Sequence, residues 1–534
     1  MEDLFWADTT AREIIEREKK LNRGIKNFRT ESGLGASGIP HLGSASDPIR
    51  SYGIALALED AGMKSELIAF SDDRDGLRKV PLDFPNSLEK EIGKPVTDIK
   101  DPFNCHESYG EHMTSLLQDA LDKIGLKYTL MSGAETYREG LLNQQIETLL
   151  INSDKVKKII KDMLGQDLTT VYFPVCEKCG RIYTTRVVKV LPKEHKVVYK
   201  CDQEFLGTNK NTGKEIIAKG CGCQGEASYF NGNGKLSWKC EFAARWDALK
   251  IVFEALGKEL IDSVKVNDEI DRQLLKFEPP VHLVYELFLE KGGKKMSKSV
   301  GNVFTPQDWL RYGSPESIRL LMYKRFVGTR EISERDIKVY MDEVDRLERI
   351  YFGRELVGNE KELKHLKRLF EYVHFLNPPG AENMKVPYDV LVNLIKVLPI
   401  NFEKKFETVK YLLRQTGHIE ELSKEGEKQL RKRVEYVSNW LEVMGAEKPK
   451  IVKISENDKK VLAEIQAVLK KKPSGDEFLS KVFEISKKNN VSDKNVFKIL
   501  YGIILGIDKG PRISHLVDTL GPEMIYNKIK ETIG

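Results

Sequence analysis

A doubly wound α/β fold, with an inserted β module and an all-α C-terminal portion, is predicted by three observations on the 534-residue sequence. Apolar runs suited to buried strands alternate with helix-length segments over residues 27–131. All seven cysteines lie between Cys105 and Cys240. From about residue 332 onward, Leu, Ile and Val recur at helical spacing among many Lys and Glu residues.

The first part of the chain contains the predicted strands of a parallel sheet and the helices that connect them. In chain order they are a strand ending within 27–32, a helix at 45–61, a strand at 67–70, a helix near 111–124 and a strand at 128–131. Ligands of doubly wound folds bind beyond the carboxyl ends of the strands. The loop that contains His41 follows the first strand, so we expect it at the ligand-binding edge.

Composition changes divide the rest of the chain. Residues 165–240 are rich in Cys, Gly and Thr and contain β-prone pieces, which indicates a metal-stabilised β module. The α/β pattern resumes near Arg245. We predict four segments, at 1–125, 126–240, 241–334 and 335–534, of which the second is the insertion and the last is helical.

Charge and apolar content narrow the class of protein. The 86 basic and 81 acidic residues give a net charge of +5, which neither identifies nor excludes a nucleic-acid binder. We find no apolar stretch long enough to span a bilayer and no signal peptide, and we expect a cytoplasmic protein with no membrane partner. An odd number of cysteines in one stretch favours metal binding over disulfides.

Two loops have the composition of phosphate-binding sites. Gly38, His41, Gly43 and Ser44 lie in a Gly-rich loop before a helix, where backbone amides can approach ATP phosphates and His41 can donate a hydrogen bond. The segment Lys295-Met296-Ser297-Lys298-Ser299 offers two lysines that can neutralise departing pyrophosphate. An ordinary turn histidine and a solvated basic loop are the alternatives when each motif is taken alone.

Two cysteine-containing segments have ligands that zinc accepts. Four candidates fall within 12 residues, namely Asp101, Cys105, His106 and His112. The Cys176-Glu177-Lys178-Cys179 knuckle is the stronger signal, and its second half could come from Cys201 with Cys223 or from Cys221 with Cys223. A redox CxxC is the alternative, although no thioredoxin-like context surrounds it.

A polar and aromatic set precedes the Lys295 loop. Its members are Trp238, Glu241, Arg245, Trp246, Tyr285 and Glu286. A carboxylate with aromatic faces suits a substrate ammonium group, whereas ordinary core aromatics are the alternative for any one ring. The segment Asp72-Asp73-Arg74-Asp75-Gly76 follows a strand end and is a candidate rim of the site.

In combination these motifs resemble class I lysyl-tRNA synthetases, the form typical of archaea and some bacteria. The resemblance extends through Glu31-Ser32-Gly33, Asp72-Asp73-Arg74-Asp75, Arg78-Lys79-Val80-Pro81, Cys105-His106-Glu107-Ser108-Tyr109 and Ala244-Arg245-Trp246, together with both loops. It covers about the first 330 residues well and the helical remainder by architecture.

The resemblance implies a Rossmann-type catalytic domain (1–125 and 241–334), a zinc-bearing insertion and an all-α anticodon-binding domain (335–534). It implies that lysine and ATP form lysyl-adenylate, with Mg²⁺ on the phosphates, and that lysine then passes to tRNA(Lys). The implied site residues group by role. His41, Lys295 and Lys298 are catalytic; Gly38, His41, Gly43, Ser44 and Lys298 bind ATP; Gly33, Trp238, Glu241 and Tyr285 bind lysine; Asp101, Cys105, His106 and His112 hold one Zn²⁺ and Cys176, Cys179, Cys201 and Cys223 hold another.

Two other functions fit part of this pattern. A glutamyl-type class I enzyme shares the architecture but not the Cys105–Tyr109 and Arg78–Pro81 segments. A non-catalytic tRNA-binding paralogue has no need of His41, Lys295 and Lys298. Basic clusters at 431–433 and 470–472, with Tyr436 and Trp440 nearby, are candidate RNA contacts in the helical domain, and solvated charges and core rings are the alternative.

Overall fold

The computed structural model describes most of the chain. The described residues are 5–36, 38–286, 288–290, 294–295, 304–382, 386–395, 402–415, 417–444, 454–505 and 512–533. The first compact unit comprises residues up to 310, 315–333 and 353–378, and the second comprises 311–314, 334–352 and the residues from 379 onward.

The described strands are, in chain order, β1 (Phe28–Leu34), β2 (Ser65–Ser71), β3 (Lys79–Val80), β4 (Thr129–Ser132), β5 (Tyr172–Pro174), β6 (Thr185–Leu191), β7 (Lys196–Cys201), β8 (Glu204–Asn209), β9 (Glu215–Lys219), β10 (Gln224–Ser228), β11 (Gly234–Leu236), β12 (Ile251–Gly257), β13 (Val281–Tyr285), β14 (Phe288–Glu290), β15 (Lys294–Lys295) and β16 (Arg330–Glu331).

The described helices are α1 (Trp6–Leu21), α2 (Ser46–Asp60), α3 (Tyr109–Ile124), α4 (Gly133–Arg138), α5 (Asn143–Ile151), α6 (Ser153–Leu164), α7 (Trp238–Leu249), α8 (Ile261–Ile270), α9 (Pro306–Tyr312), α10 (Pro315–Tyr323), α11 (Asp336–Tyr351), α12 (Glu360–Val373), α13 (Tyr388–Ile395), α14 (Phe402–Gln415), α15 (Lys424–Met444), α16 (Glu456–Leu469), α17 (Gly475–Lys488), α18 (Asp493–Leu505), α19 (Ile513–Leu520) and α20 (Pro522–Ile533).

The central sheet of the first unit has the strand order β13-β12-β1-β2-β4, and every neighbouring pair is parallel. From β1 the chain moves outward through β2 to β4, and it returns on the other side of β1 as β12 and then β13. The reversal places a topological switch point between β1 and β12, where doubly wound folds bind their ligands. The predicted α/β fold is confirmed.

Helix α2 connects the first two strands of the sheet and is buried along most of its length. Its apolar side chains pack between the sheet and other helices, which explains why the sequence shows little amphipathic pattern there. The predicted helix at 45–61 and strand at 67–70 correspond to α2 and β2. The strand predicted at 128–131 is β4, which belongs to the central sheet, so the insertion begins after it and not at residue 126.

The insertion consists of helices α4 to α6 and short strands in separate small sheets. Strands β6, β7 and β10 form one antiparallel sheet, β5 pairs with β11, and β3 from outside the insertion pairs with β8 beside β9. Tyr172, Tyr199 and Tyr229 are fully buried in the core that this region shares with α7.

The second unit is helical in its described residues and contains α11 and α13 to α20. Helix α12 lies between these in sequence but belongs to the first unit, where the Arg368 guanidinium pairs with Asp8 at 2.8 Å and with Asp60 at 2.6 Å. The predicted boundary at residue 335 therefore does not coincide with the division into compact units. Among the helices that the structure describes, each is too short or too polar to cross a membrane.

Candidate active site

The His41 loop lies beyond the carboxyl end of β1 and leads into α2. His41 precedes a short 3₁₀ turn (Leu42–Ala45), and its backbone amide donates to the Ser44 hydroxyl at 3.2 Å. The Ser44 amide donates back to the His41 carbonyl at 2.7 Å. These bonds hold the imidazole at the start of the helical segment, where partial positive charge favours phosphate.

Two glycines of this edge are in close contact with functional side chains. A Cβ on Gly43 would lie 2.9 Å from both Cε1 and Nδ1 of His41, so any side chain there would displace the imidazole. A Cβ on Gly33, in β1, would lie 3.6 Å from Oδ2 of Asp72. Gly38 is a buried residue of the same loop. The structure thus brings the predicted loop residues together at the switch point.

A fully buried Arg245 on α7 joins two acidic residues, one within a strand of the central sheet and one directly after the neighbouring strand. Its guanidinium lies 2.8 Å from Glu31 of β1 and 2.9 Å from Asp72, which directly follows β2. The rings of Phe70 and Phe242 also lie against the guanidinium, with centroids 4.3 and 4.8 Å from Cζ of Arg245. Arg245 therefore fixes Asp72 at the edge of the sheet.

Burial and crowding of acids change the protonation of this cluster. Burial raises the pKa of Glu31 to about 8 even though Arg245 opposes the rise. Burial likewise raises the pKa of Asp72 to about 6, with a further contribution from Asp75. Shifts of this size are typical of functional sites. Burial therefore favours the neutral form of Glu31 more strongly than that of Asp72.

A second buried pair lies next to the first. Lys235 of β11 contacts Glu241 of α7 closely, and its ammonium is 3.1 Å from Asp75. The Tyr137 hydroxyl donates to Glu241 at 2.7 Å and accepts from the Leu236 amide at 2.9 Å. Burial disfavours the ammonium, but Glu241 and Asp75 hold the pKa of Lys235 above its usual value. Lys235 is therefore charged inside the protein.

The residues predicted to form the lysine pocket have different surroundings in the structure. Glu241 is already paired with Lys235, so the prediction of Glu241 as a direct ligand for the substrate ammonium is not supported by the geometry. Tyr285 is buried, and the Arg50 guanidinium lies 4.3 Å from its ring centroid. Trp238 is 36% exposed and faces a separate cleft towards the insertion. Gly33 remains beside Asp72.

The lysine loop is only partly within the described residues. Lys295 lies in β15, which pairs antiparallel with β14. Lys298 lies outside the described residues, as do the neighbouring residues 296–300. The predicted roles of Lys295 and Lys298 stay predictions.

The first predicted metal site is assembled before and at the start of α3. The Cys105 thiol lies 3.2 Å from Asp101 Oδ2, 3.2 Å from His106 Nδ1 and 3.1 Å from His112 Nδ1. All four ligand atoms fall within 4.8 Å of one another. Although burial opposes it, amide donors of this loop, first that of Phe103, hold the pKa of Asp101 well below its usual range. The donor set fits zinc.

The second predicted site is formed by four thiols in the insertion. Cys176 and Cys221 are 3.6 Å apart at Sγ, and Cys179 and Cys201 are 3.7 Å apart. A tetrahedron of zinc–sulfur bonds has sulfur–sulfur edges of about 3.8 Å, so this arrangement fits zinc closely. The four thiols are free.

The fourth thiol of this group is that of Cys221, and the geometry does not support the prediction of Cys223 as the ligand. Gly222 between them adopts a positive φ of 75°. The chain turns there, and the Cys223 thiol instead lies 4.0 Å from Oε1 of Glu177. The Cys221 amide donates to the Cys201 thiol at 3.4 Å, an interaction that orients the ligand.

The basic cluster predicted to contact RNA in the second unit has partners within that unit. Arg433 pairs with Asp345, and both side chains are less than a tenth exposed. Arg431 pairs with Glu403 at 2.7 Å. Tyr436 is buried. Arg433 and Tyr436 are therefore part of the packed interior of the second unit and are not exposed for contact with RNA.

Sequence reasoning missed three members of the buried cluster. Glu31 was noted only as part of a motif, and Lys235 and Tyr137 were not predicted as site residues. Strand β1 also contains Arg29, Thr30 and Ser32, so no local signal in the sequence marks Glu31 as a buried acid.

The parallel sheet, with its strand order reversing beside the His41 loop, defines a Rossmann-type α/β protein, and the family comparison extends that conclusion. The family "tRNA synthetases class I (K)" matches residues 4–375, and the chain belongs to this family.

Relatives align with nearly the whole chain. A lysine–tRNA ligase of Cenarchaeum symbiosum (strain A) is 42% identical, over 98% of this chain and 98% of the relative. Lysine–tRNA ligases of Methanosphaera stadtmanae and Rickettsia bellii (strain OSU 85-389) are 26% and 29% identical, over 98% and 99% of this chain and 99% and 98% of their own length. A solved glutamate–tRNA synthetase from Elizabethkingia anophelis has a TM-score of 0.42 and 14% identity, over 95% of this chain and 99% of its own. That structural likeness is too weak to support an inference.

Proposed function

We propose that this chain activates lysine with ATP and transfers it to tRNA(Lys). The observation that carries the proposal is the 42% identity to a lysine–tRNA ligase over 98% of both chains. The carboxylate of lysine attacks the α-phosphorus of ATP, pyrophosphate leaves, and a ribose hydroxyl at the 3′ end of tRNA then attacks the adenylate. Catalysis of both steps depends mainly on positioning and charge stabilisation.

The charge of the buried cluster supports a cationic side chain as the substrate. Asp72, Asp75 and Glu241 lie around the two buried cations Lys235 and Arg245. A carboxylate at this edge of the sheet attracts an ammonium group and repels the carboxylate of a glutamate side chain. Asp72 is 28% exposed, and its Oδ2 faces Gly33. We assign the contact with the lysine ammonium to Asp72 in place of Glu241.

ATP would lie along the loop that precedes α2. His41 would donate to the phosphates, Gly38 and Gly43 would allow the backbone to approach, and Ser44 would hold the loop closed. Lys295 and Lys298 would stabilise the leaving pyrophosphate, and Mg²⁺ would be held mainly by phosphate oxygens and water. The Asp101 and Cys176 clusters would hold one Zn²⁺ each and would stabilise the local fold, because their donor sets are those of structural sites.

The second unit would bind the anticodon arm of tRNA. Its described residues are helical and contain no cysteine, and none of the residues assigned to lysine, ATP or metal falls within it. The exposed cations Lys470–Lys472 are better candidates for phosphate contacts than the buried Arg433. The cytoplasmic location predicted from the sequence stays a prediction.

The decisive experiment is ATP–pyrophosphate exchange with lysine, glutamate and arginine, each with and without tRNA, followed by aminoacylation of tRNA(Lys). Lysine should support exchange far better than the others, since a site built for an ammonium leaves its own carboxylate unpaired with a wrong substrate. Equal rates with glutamate would indicate a glutamyl-type enzyme. An absence of exchange under every condition, with intact tRNA binding, would indicate a non-catalytic paralogue.

A further inference from the structure

A fully buried arginine lies on the helix that follows the His41 loop. Arg50 belongs to α2, which begins at Ser46, directly after the 3₁₀ turn that His41 precedes. Burying a guanidinium is costly unless hydrogen bonds and an opposite charge replace the water that it loses. The contacts of Arg50 therefore identify the part of the fold that stabilises it.

The polar contacts of Arg50 are few and long. Nη1 lies 3.9 Å from the Met322 sulfur, Nη2 donates to the Arg325 carbonyl at 3.5 Å, and Nε has no hydrogen-bond partner among the described residues. Burial, reinforced by the positive charge of Arg330, lowers the pKa of Arg50 to about 9, although Asp47 opposes the change. These contacts therefore compensate the buried charge poorly.

The aromatic ring of Tyr285 supplies a further contact for this charge. Cζ of Arg50 lies 4.3 Å from the ring centroid. Tyr285 is the last residue of β13, is 6% exposed and stands opposite Gly257 of β12. A cation over a ring face is attracted more strongly where both groups are removed from water. The pair thus joins α2 to the carboxyl end of β13.

The end of β13 leads directly to the segment that contains Lys295. The amide of Glu286, the residue after Tyr285, donates to the Phe326 carbonyl at 3.0 Å, and the Glu286 carboxylate contacts the Lys258 ammonium. Strand β14 comes next and pairs with β15, which contains Lys295. The chain that leads to Lys295 therefore starts from the strand end that Arg50 contacts.

We propose that Arg50 is a positioning residue for catalysis, which holds the strand leading to Lys295 in a fixed place relative to the His41 loop through its contact with Tyr285. The proposal rests on the proposed function, in which His41 and Lys295 act on the phosphates of the same ATP. A misplacement of about 1 Å between such groups can cost about 100-fold in rate. Arg50 itself is fully buried and acts through Tyr285, without contact with substrate.

The test is steady-state pyrophosphate exchange by the full-length protein with lysine, in the presence of tRNA(Lys). Arg50→Met keeps the length of the side chain and removes the guanidinium. It should lower kcat by about 10- to 100-fold and change KM for lysine by less than about 3-fold, because the two catalytic lysines act mainly on charge that develops in the transition state.

The matched control is Arg23→Met. The Arg23 guanidinium also lies 4.3 Å from a ring centroid, that of Phe277, but Arg23 precedes β1 and should leave kcat unchanged when it is replaced. Melting temperatures of both variants show whether each one folds. If Arg50→Met does not fold, Arg50→Lys gives the same comparison, because an ammonium cannot reproduce the planar contact with the ring.

A second comparison uses the variant Lys295→Ala with Lys298→Ala, which lacks both catalytic lysines. Adding Arg50→Met to this variant should lower kcat by less than about 3-fold further, since the effects of residues that act together are not additive. A further loss as large as in the wild-type background would overturn the proposal, because Arg50 would then act on something other than these lysines.

Two other results would overturn the proposal. One is an unchanged kcat of Arg50→Met, and the other is a raised KM for lysine with unchanged kcat, which would assign Arg50 to the binding of lysine. Failure of the proposed function gives a different result, in which the wild type exchanges pyrophosphate with another amino acid. The same set of variants, measured with that amino acid, would still test the role of Arg50.

Discussion

The Lys235 ammonium contacts the Glu241 carboxylate inside the first unit, where the two side chains are only 4% and 3% exposed. The pair joins the last strand of the insertion to the helix that returns to the central sheet. Because both charges are removed from water, the attraction between them has to replace the stabilisation that hydration would give.

We predict that Lys235→Met destabilises the protein by about 3–5 kcal/mol, since it leaves Glu241 buried without its counter-charge. Adding Glu241→Gln should recover much of the loss, because a neutral pair of similar volume remains. Chemical unfolding gives the measurement. The control is Lys196→Met, which breaks an exposed pair with Glu226 and should cost less than about 1 kcal/mol. Equal losses for the buried and exposed pairs would contradict the prediction.

We predict that Gly43→Ala lowers the rate of lysine-dependent pyrophosphate exchange by about 10- to 100-fold. The new Cβ would lie 2.9 Å from the His41 ring and push it aside, and a displacement of about 1 Å at a reacting group has effects of this size. Gly358→Ala is the matched control, because a Cβ there meets nothing within 4 Å. Normal exchange by the Gly43 variant would show that the position of His41 is unimportant.

We predict that Cys221→Ser removes about one zinc equivalent from the purified protein, whereas Cys223→Ser does not. Only the Cys221 thiol joins those of Cys176, Cys179 and Cys201 in the structure. The measurement is the zinc content per chain of protein purified without exposure to a chelator. The reverse result would restore Cys223 as the ligand, and zinc-free wild-type protein would remove both proposed sites.

We predict that Asp271→Asn makes stability less dependent on pH. Burial, reinforced by Asp247 and Asp268, raises the pKa of Asp271 from 3.8 to about 10, so the folded protein keeps this proton. The unfolded chain releases it above pH 3.8, and wild-type stability therefore falls as pH rises between these values, by up to about 1.4 kcal/mol per unit. At lower pH both states are protonated and no penalty exists.

Melting temperatures of the wild type and Asp271→Asn at pH 6 and pH 9 test this sign. The variant should lose less stability over that interval. Asp154→Asn, at an exposed carboxylate, should follow the wild type. A steeper loss for Asp271→Asn would show that the folded protein holds Asp271 as a carboxylate.

The sequence predicted elements whose cause is local. Helix α2 and strand β2 follow from the apolar pattern and from Gly62 after the helix, and the loop at His41 follows from its glycines. The pairing of Lys235 with Glu241 could not be predicted, because it depends on how β11 and α7 pack. The choice between Cys221 and Cys223 depends on the backbone turn at Gly222. The two cysteines are only two residues apart, and the sequence does not show which thiol faces the other three.

The return of α12 to the first unit has a consequence for synthesis on the ribosome. Arg368 and Tyr372 bind Asp8 near the start of the chain, and Tyr372 stacks on Phe5 at 4.5 Å. The first unit therefore cannot complete its packing until residue 378 has left the exit tunnel. Until then the N-terminal helix lacks these partners. Helix α11 precedes α12 in the chain and is therefore synthesised before the first unit is complete. Order of emergence and order of folding thus differ in this protein.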